Sequence, residues 1–191
     1  MGGSVEDSTE IEAALIRSLR GTVLEVGAGD GANFGFLAES VDWIGLEPNP
    51  RDTEALRANA ARWGRRREPL VASCEAIPLP DESVDAVLST LVLCSVDDQK
   101  KSLEEIIRVL RPGGALVFVE HVAAAPRTLL RGVQRLATPL TARLDRGCHL
   151  ARETVAGIQG SGLRIDELHE YRMPSGLGFT VPFAAGRAVK A

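Results

Sequence analysis

The sequence lacks both a long apolar run and a leader-type beginning. No window approaches the roughly 18 consecutive apolar residues that a membrane-spanning helix needs. The opening stretch, MGGSVEDSTE, does not have the basic-then-apolar order of a signal peptide. We therefore expect a soluble, cytoplasmic protein without a transmembrane segment.

An excess of positive charge is also missing. Lys and Arg total 22 against 26 Asp and Glu, which gives a net charge of −4, and the pI is near 5.5. A general nucleic-acid binder neutralises phosphates with clustered positive charge, so this balance argues against that class of partner.

Cysteine is scarce. Cys74, Cys94 and Cys148 are widely spaced and form no C-x-x-C pair. This usage fits reduced thiols rather than a disulfide framework. Neither these cysteines nor the three histidines have the short spacing of zinc ligands, so the sequence predicts no metal site.

What the sequence contains is an alternation of short β-rich runs with helical stretches. The 191 residues, 45% of them apolar, suit one well-buried core, so we expect a single domain over 1–191. Strands are predicted at 22–26, 43–47, 69–73, 83–90 and 115–122, and helices at 8–20, 33–40, 51–64 and 98–110. The runs at 163–171 and 186–191 are expected to pair as an antiparallel hairpin. Continuously apolar strands indicate a Rossmann-like, doubly wound α/β fold, with a mostly parallel seven-stranded sheet, an antiparallel last strand and helices on both faces.

The stretch VLEVGAGDGANF (23–34) breaks a predicted strand with three alternating glycines, Gly27, Gly29 and Gly31. Glycines at such a strand-to-helix turn let the backbone approach a ligand closely at the carboxyl end of the sheet. The pattern alone is a weak signal, because with Ala32 in the third place it also satisfies a dinucleotide fingerprint.

Acidic residues around this loop favour a different ligand. Glu25 ends the first strand and Asp30 sits inside the loop, where a dinucleotide would place its phosphates. Glu47 ends the second strand, where a carboxylate binds ribose hydroxyls in any nucleoside. Glu25 and Asp30 together favour a cationic nucleoside that carries an amino acid, namely S-adenosylmethionine. This cofactor becomes S-adenosylhomocysteine after methyl transfer.

With these features the sequence resembles the class I S-adenosylmethionine-dependent methyltransferases. The resemblance runs through the glycine loop, SCEAIPLPDESVDAVLST (73–90) and RVLRPGG (108–114). More narrowly, the sequence resembles the methyltransferase-like proteins that methylate alkyl thiols. Phrases in that family's order are GANF (31–34), EPNP (47–50), TLVLCSV (90–96), EHVA (120–123), GC-x-L-x-RE (147–153) and AVK (188–190), so the likeness covers roughly 22–190.

The resemblance implies a division of labour along the chain. Residues 22–122 would form the cofactor-binding half, 123–162 a cap over the substrate and 163–191 the C-terminal strand pair. The implied cofactor-binding residues are Glu25, Gly27, Ala28, Gly29, Asn33, Glu47, Pro48, Ser73, Cys74, Glu75, Thr90 and Leu91. Glu25, Gly27 and Gly29 would line the methionine end of the cofactor and Glu47 its ribose. The residues 73–75 would flank the adenine, and Thr90 and Leu91 the sulfonium side.

The sequence departs from its relatives in two places. Ser73 stands where many class members have Asp to accept from the adenine amino group. The thiol-methylating relatives carry a hydrophobic N-terminal anchor and a covering segment, whereas about 20 residues precede the first strand here. The first difference leaves the contact with the adenine amino group to the backbone or to Glu75, and the second leads us to expect a less enclosed cofactor site.

The acceptor side is expected where the fifth predicted strand ends, at Glu120 and His121. Methyl transfer is an in-line displacement that mainly requires alignment and exclusion of water. A thiol needs no strong base, whereas an oxygen acceptor does, and histidine is the side chain most often used as a general base. Glu120 and His121 are therefore the candidate catalytic residues, with His149 and Cys148 as weaker candidates and a structural role as the alternative for each.

The stretch RTLLRGVQRLATPLTARLDR (127–146) is expected to form the cap helix, broken or kinked at Pro139. Its apolar side chains fall on one helical face and its arginines on the other: Leu129, Val133, Leu136 and Leu140 against Arg127, Arg131 and Arg135. The favoured interpretation packs the apolar face on the core and leaves the arginines in water. The alternative is a surface that rests on an anionic membrane or meets a lipophilic substrate.

The preferred function is a methyltransferase that acts on a small molecule, with a thiol or another lipophilic nucleophile as acceptor. Three alternatives stay open: a non-catalytic cofactor-binding or regulatory protein on the same fold, a dinucleotide oxidoreductase, and a nucleic-acid methyltransferase. The last is disfavoured because Ser89-Thr90-Leu91-Val92 replaces the N/D-P-P-Y/F tetrapeptide of such enzymes.

Overall fold

The computed structural model describes residues 5–144, 147–174 and 180–191. The helices are α1 (Val5–Arg17), α2 (Pro50–Arg62), α3 (Gln99–Val109), α4 (Leu129–Leu144) and α5 (Thr154–Gly160). The strands are β1 (Thr22–Val26), β2 (Asp42–Leu46), β3 (Val84–Thr90), β4 (Leu110–His121), β5 (Arg164–Pro174) and β6 (Thr180–Val189). They form one sheet in the order β2-β1-β3-β4-β6-β5.

The sheet is parallel from β2 to β4, and β6 runs antiparallel to both of its neighbours. Buried side chains lie on both faces, because successive residues of a strand point to opposite sides. Leu103 of α3 and Ile158 of α5 join the core on one face, whereas Leu15 of α1 and Leu56 of α2 join it on the other. The predicted Rossmann-like fold, with helices on both faces and an antiparallel last strand, is confirmed.

The described residues form six strands rather than the predicted seven, because the run 69–73 is not a strand. It contributes a single parallel bridge in which Leu70 N donates to Gly45 O at 2.8 Å and Glu47 N donates to Leu70 O at 3.0 Å. Pro69, which lacks an N–H group, precedes this bridge, and a turn at Cys74 follows closely. The predicted strand is therefore too short to pair further.

The predicted helix at 33–40 is only one 3-10 turn, Ala32–Gly35. The backbone carbonyl groups after this turn are hydrogen-bonded by the Arg65 guanidinium, which donates to the oxygens of Leu37, Ala38 and Val41. A side chain thus takes hydrogen bonds that a longer helix would have used. The neighbouring Arg67 pairs with Asp42.

Helix α4 reverses the predicted orientation of its two faces. Leu129 and Leu136 are 92% and 84% exposed, and Val133 is 51% exposed, whereas Arg131 is only 8% exposed. The prediction that the apolar face packs on the core is therefore wrong for the described side chains. Residues 129–144 also continue as one helix through Pro139, so the helix is not broken there.

The physical reason for the reversal is a set of polar contacts that α4 makes with the segment after β4. Gln134 accepts from Ala124 N at 2.7 Å and donates to Val122 O at 3.2 Å. Arg131 donates to Ala124 O at 3.2 Å and forms an ion pair with Glu153. Backbone groups in this segment need partners when buried, and the polar face of α4 supplies them. Within the described residues, no helix is long and apolar enough to cross a bilayer.

Candidate functional site

The glycine loop lies where β1 ends, between the carboxyl ends of β2 and β3. Gly27, Gly29 and Gly31 all have positive φ angles, of 57°, 58° and 88°. A Cβ atom at Gly27 would lie 2.4 Å from Cγ2 of Val92, so a side chain is excluded there by space as well as by backbone conformation. The loop therefore presents bare backbone at the edge of the sheet where α/β folds bind their ligands.

Glu25 is fully buried below this loop. Its carboxylate accepts from Trp43 Nε1 and from Asn33 Nδ2, each at 2.7 Å. Burial raises the pKa of the Glu25 carboxyl, while these two hydrogen bonds oppose the increase. Glu25 is thus more enclosed than the sequence suggested, since Asn33 occupies one of its carboxylate oxygens and Trp43 the other. Trp43 carries no motif signal and was not anticipated.

Asn33 joins Glu25 to the end of β3. Its Nδ2 atom also donates to Thr90 Oγ1 at 2.9 Å. Both contacts use the amide nitrogen, which leaves the Oδ1 atom as an acceptor for a bound group. Thr90 is half-buried and the next residue, Leu91, is 45% exposed with a φ of 60°. A non-glycine residue held in this left-handed conformation is strained, and such strain is typical of functional sites.

Glu47 lies directly against the glycine loop. Its carboxylate accepts from Gly29 N and from Asn49 N, both at 3.0 Å, and the residue is 6% exposed. A backbone hydrogen bond from Ala28 N to Leu46 O fixes the loop beside β2. Pro48 is exposed next to it. Asp30 is also exposed, and its carbonyl oxygen accepts from Asn59.

The segment 73–75 forms a turn above the start of α3. Glu75 accepts from the backbone of Asp97 at 3.0 Å and of Asp98 at 3.3 Å, and from the Ser73 hydroxyl. Ser73 is exposed, whereas the Cys74 side chain points into the core. Burial raises the pKa of the Cys74 thiol to about 12, so this sulfur is neutral at physiological pH.

Glu120 is fully buried at the end of β4. It accepts from Ser89 Oγ at 2.7 Å and from the backbone N–H groups of Val92, Leu93 and Cys94 at 3.0–3.1 Å. Burial raises the pKa of the Glu120 carboxyl, and the hydrogen bonds oppose that increase. This carboxylate builds the turn after β3, so the geometry gives Glu120 a structural role rather than a direct contact with an acceptor.

His121 meets two cysteines beside this turn. Its Nδ1 atom lies 3.3 Å from Cys148 Sγ, and Cys148 Sγ lies 3.9 Å from Cys94 Sγ. Both cysteines are buried, and the His121 ring packs edge-on against Phe183 with a centroid distance of 4.3 Å. The sequence predicted no metal site because these residues are far apart in the chain, yet the fold brings three potential ligands together.

His149, the other histidine named as a candidate, does not join this cluster through its ring in the contacts of the described residues. Its backbone N donates to Cys94 O at 2.9 Å. Burial, followed by the charge of Arg152, lowers the pKa of the His149 imidazole. His149 therefore helps to position the cysteine pair through its backbone.

A cleft of about 600 Å³ opens next to His121, at the carboxyl end of β4. Its walls come from the segment after β4, the start of α5, and facing residues of β5 and β6. They include Val122, Pro126, Glu153, Val155, Tyr171 and Phe183. The cleft is open to solvent rather than an enclosed cavity.

Comparison with known proteins agrees with this geometry. The family profile described as a methyltransferase domain matches residues 24–118. The human thiol S-methyltransferase TMT1A is 37% identical over 172 residues, covering 88% of this chain and 70% of the relative. The rat thiol S-methyltransferase TMT1B is 37% identical over 184 residues, covering 92% of this chain and 75% of the relative.

Solved structures share the fold at low identity. The YcgJ protein from Bacillus subtilis has a TM-score of 0.78 at 16% identity, covering 95% of this chain and 98% of that one. Geranyl diphosphate methyltransferase in complex with S-adenosylmethionine has a TM-score of 0.72 at 15% identity, covering 97% and 85%. The chain therefore belongs to the class I S-adenosylmethionine-dependent methyltransferases, in the family of the thiol S-methyltransferases, and it is an enzyme that methylates a small molecule.

Proposed function

We propose that this enzyme methylates the sulfur of a lipophilic thiol, and that the acceptor enters through the cleft beside His121. The relatives with 37% identity are named thiol S-methyltransferases, which supports sulfur as the acceptor atom. The observation that carries the cofactor site is the Glu47 carboxylate, held by Gly29 N–H at the bare-backbone turn. A carboxylate at this point binds the hydroxyl pair of a ribose.

The chain's own residues divide the cofactor between them in this proposal. Glu47, with Pro48 beside it, takes the ribose hydroxyls. The backbone from Gly27 through Ala28 to Gly29 and the Asn33 Oδ1 atom take the amino-acid end, and Glu25 orients Asn33. Ser73, Cys74 and Glu75 contribute their backbone and the exposed polar rim beside the adenine. The bound cofactor supplies a methyl group already activated on a sulfonium.

Thr90 and Leu91 border the reacting centre in this assignment. Leu91 is exposed and conformationally strained, so it presents apolar surface to the acceptor while Thr90 is held by Asn33. Glu120 positions the 92–94 turn, and we assign His121 to the acceptor side because its neighbour in sequence, Val122, lines the cleft. The enzyme's work is to align the thiolate sulfur, the methyl carbon and the leaving sulfur in line and to exclude water.

Residues 123–162 serve as the cap of this single domain, since the segment after β4 and the start of α5 line the cleft. The outer face of α4 carries exposed Leu129, Val133 and Leu136; Arg135 of the same helix and Arg127, just before it, are also exposed. Apolar residues flanked by arginines suit an anionic lipid surface, where lipophilic thiols concentrate. We place the enzyme in the cytoplasm, with α4 as a peripheral membrane contact; the free cysteines Cys74, Cys94 and Cys148 are compatible with a reducing compartment.

The cofactor site is tested by replacing Glu47. Calorimetry should show that Glu47→Ala binds S-adenosylhomocysteine roughly 10- to 150-fold more weakly, because a hydrogen bond to a charged group contributes about 1.5–3 kcal/mol. Glu54→Ala, an exposed change on α2, is the matched control and should bind like the wild type. Unchanged affinity in a folded Glu47→Ala enzyme contradicts the site. The acceptor class is tested by incubating the wild-type enzyme with alkanethiols and measuring methyl thioethers by mass spectrometry. Absence of this product contradicts a thiol acceptor.

A further inference from the structure

Three side chains of types that commonly bind metal ions lie close together at the carboxyl ends of β3 and β4. Cys94 follows β3, His121 ends β4, and Cys148 precedes α5. One ligand atom from each, the two Sγ atoms and an imidazole nitrogen, lies within 4.8 Å of the others. The cluster combines two buried cysteines with a half-buried histidine. Glu120, which is adjacent in sequence, is already engaged by the turn after β3.

The spacing of these atoms matches a tetrahedral zinc site. With Zn–S bonds of about 2.3 Å and Zn–N bonds of about 2.0–2.1 Å, tetrahedral angles place two sulfurs about 3.8 Å apart and a sulfur and a nitrogen about 3.5 Å apart. The observed separations are 3.9 Å for Cys94 Sγ to Cys148 Sγ and 3.3 Å for Cys148 Sγ to His121 Nδ1. Two of the three separations therefore match the tetrahedral values, and the third, between Cys94 and His121, lies within 4.8 Å.

The two cysteine segments are clamped together by their own backbones. His149 N donates to Cys94 O at 2.9 Å, and Arg152 Nη1 donates to Leu93 O at 3.0 Å. Gly147 has a φ of 90°, and a Cβ atom there would lie 2.6 Å from Ser95 O. Such close approach leaves no room for another residue type. Phe183 packs against the His121 ring and fixes its orientation. The cluster is thus preorganised, as a ligand set must be.

We propose that Cys94, His121 and Cys148 bind one Zn²⁺ ion and leave its fourth coordination position for the sulfur of the acceptor thiol. Thiolate and imidazole are the ligand types that zinc prefers. Three protein ligands with one open position are characteristic of catalytic rather than structural zinc.

The role of the fourth position rests on the proposed thiol acceptor, whereas the metal site itself does not. A thiol that coordinates zinc loses its proton, which passes to solvent. A lone pair of the acceptor sulfur then forms the bond to the methyl carbon as the carbon–sulfonium bond breaks, and that bonding pair stays on the leaving sulfur. The products are a neutral thioether, S-adenosylhomocysteine and one proton. The thioether is the weaker ligand because it carries no negative charge, which favours its release.

The metal site is tested by elemental analysis of the full chain, purified under a phosphine reductant and reconstituted with Zn²⁺ or Co²⁺. The wild type should retain stoichiometric metal after desalting, and the Co²⁺ form should show thiolate-to-cobalt charge-transfer absorption. Cys94→Ser, Cys148→Ser and His121→Gln should each raise the Kd for Zn²⁺ roughly 100-fold or more, because each removes one of three protein ligands.

Cys74→Ser is the matched control, since Cys74 is buried but lies outside the cluster, and it should keep its metal. Far-UV circular dichroism verifies that the ligand variants are folded. Wild-type protein without bound metal after reconstitution overturns the proposal, as does a Cys94→Ser/Cys148→Ser double variant that retains it. A Cys94–Cys148 disulfide in the reduced preparation also overturns it.

Adding hexanethiol to the Co²⁺ enzyme tests the fourth position separately. A new charge-transfer band that hexanol does not produce is expected, and its absence overturns acceptor ligation while the metal site stands. Calorimetry with S-adenosylhomocysteine and thioether formation are measured on the same preparation. A metal-free enzyme that still binds S-adenosylhomocysteine and methylates hexanethiol therefore overturns the metal site alone. A metal-loaded enzyme without methylation overturns the proposed function instead.

Discussion

Glu120 and His121 are adjacent in sequence but differ in what they can contact. The Glu120 side chain lies inside the protein, where its two carboxylate oxygens accept from four donors, whereas the His121 ring contacts Cys148 and Phe183. Because Glu120 holds three consecutive backbone N–H groups, it shapes the turn that carries Cys94. We regard it as a positioning residue, since it acts on the site through that turn.

Replacing Glu120 by Gln should destabilise the enzyme by about 1–3 kcal/mol. The amide oxygen can replace one carboxylate oxygen, but the amide NH₂ then faces a backbone N–H and leaves a buried donor unsatisfied. Urea denaturation monitored by circular dichroism measures this change, with the exposed Glu104→Gln as control. An unaltered free energy of unfolding for Glu120→Gln is incompatible with the assigned role.

The glycine loop and the carboxylate beside it could be predicted from the sequence, whereas the cysteine–histidine cluster could not; the assignment of individual residues to the cofactor stays a prediction. Gly27 and Glu47 belong to local patterns, and both lie at the loop that those patterns predicted. The cysteine–histidine cluster joins residues 27 and 54 positions apart. No spacing rule covers such distances, because the chain path between the residues decides whether they meet.

At the level of elements, periodicity predicted helices and strands better than it predicted orientation. Apolar runs in the sequence predicted the strands β1 to β4 correctly. The run 69–73 was also predicted as a strand, but beside Pro69 it forms only an isolated bridge at Leu70. The apolar periodicity predicted the helix α4 correctly. It could not predict that Gln134 and Arg131 form hydrogen bonds with the backbone of Ala124, after β4. The orientation of α4 depends on contacts with Ala124, in an irregular segment, and with Glu153, which is distant in the sequence.

The exposed face of α4 should bind anionic vesicles. Leu129→Ser/Leu136→Ser should lower partitioning onto vesicles that contain phosphatidylserine roughly 10-fold or more, since each buried leucine contributes up to about 1.5–3 kcal/mol. Arg135→Gln should remove about 1 kcal/mol of electrostatic attraction. Vesicle sedimentation measures both effects.

Two controls distinguish specific binding through this face of α4 from non-specific vesicle binding. Leu168→Ser alters an exposed leucine on β5 and should leave vesicle binding unchanged. Thermal unfolding of the α4 variant should match the wild type, because surface substitutions rarely change stability by more than about 0.5 kcal/mol. Equal partitioning of the wild type and the double variant argues for a different role of this face.

At the scale of the whole molecule, two groups of buried or anchored carboxylates respond to pH in opposite directions. Asp85 accepts from Thr22 N at 2.7 Å and pairs with Arg111, and these contacts lower the pKa of Asp85. Glu105 has its pKa lowered chiefly by the Arg108 hydrogen bonds. Burial, in contrast, raises the pKa values of Glu25 and Glu120.

The enzyme should therefore lose stability in acid through the first group. A carboxyl group whose folded pKa lies below its unfolded value stabilises the fold above the unfolded pKa of about 4, and this contribution disappears as the pH falls through the folded pKa. Glu25 and Glu120 have the opposite slope, since protonation favours their buried forms. Asp85→Asn should thus flatten the decline in unfolding free energy below about pH 4. Urea titrations across pH measure it, with Glu54→Gln as control, and a slope identical to the wild type rules out the Asp85 contribution.

The position of β6 has a consequence for how the enzyme is made. This strand follows all the others in sequence, yet it lies between β4 and β5, and its Phe183 supports the His121 ring. Chains emerge from the ribosome N-terminus first, so the strands β1 to β4 can assemble before β6, which lies at the centre of the C-terminal part of the sheet, has been made. A nascent chain stalled before β6 should consequently recognise the cofactor without being able to use it.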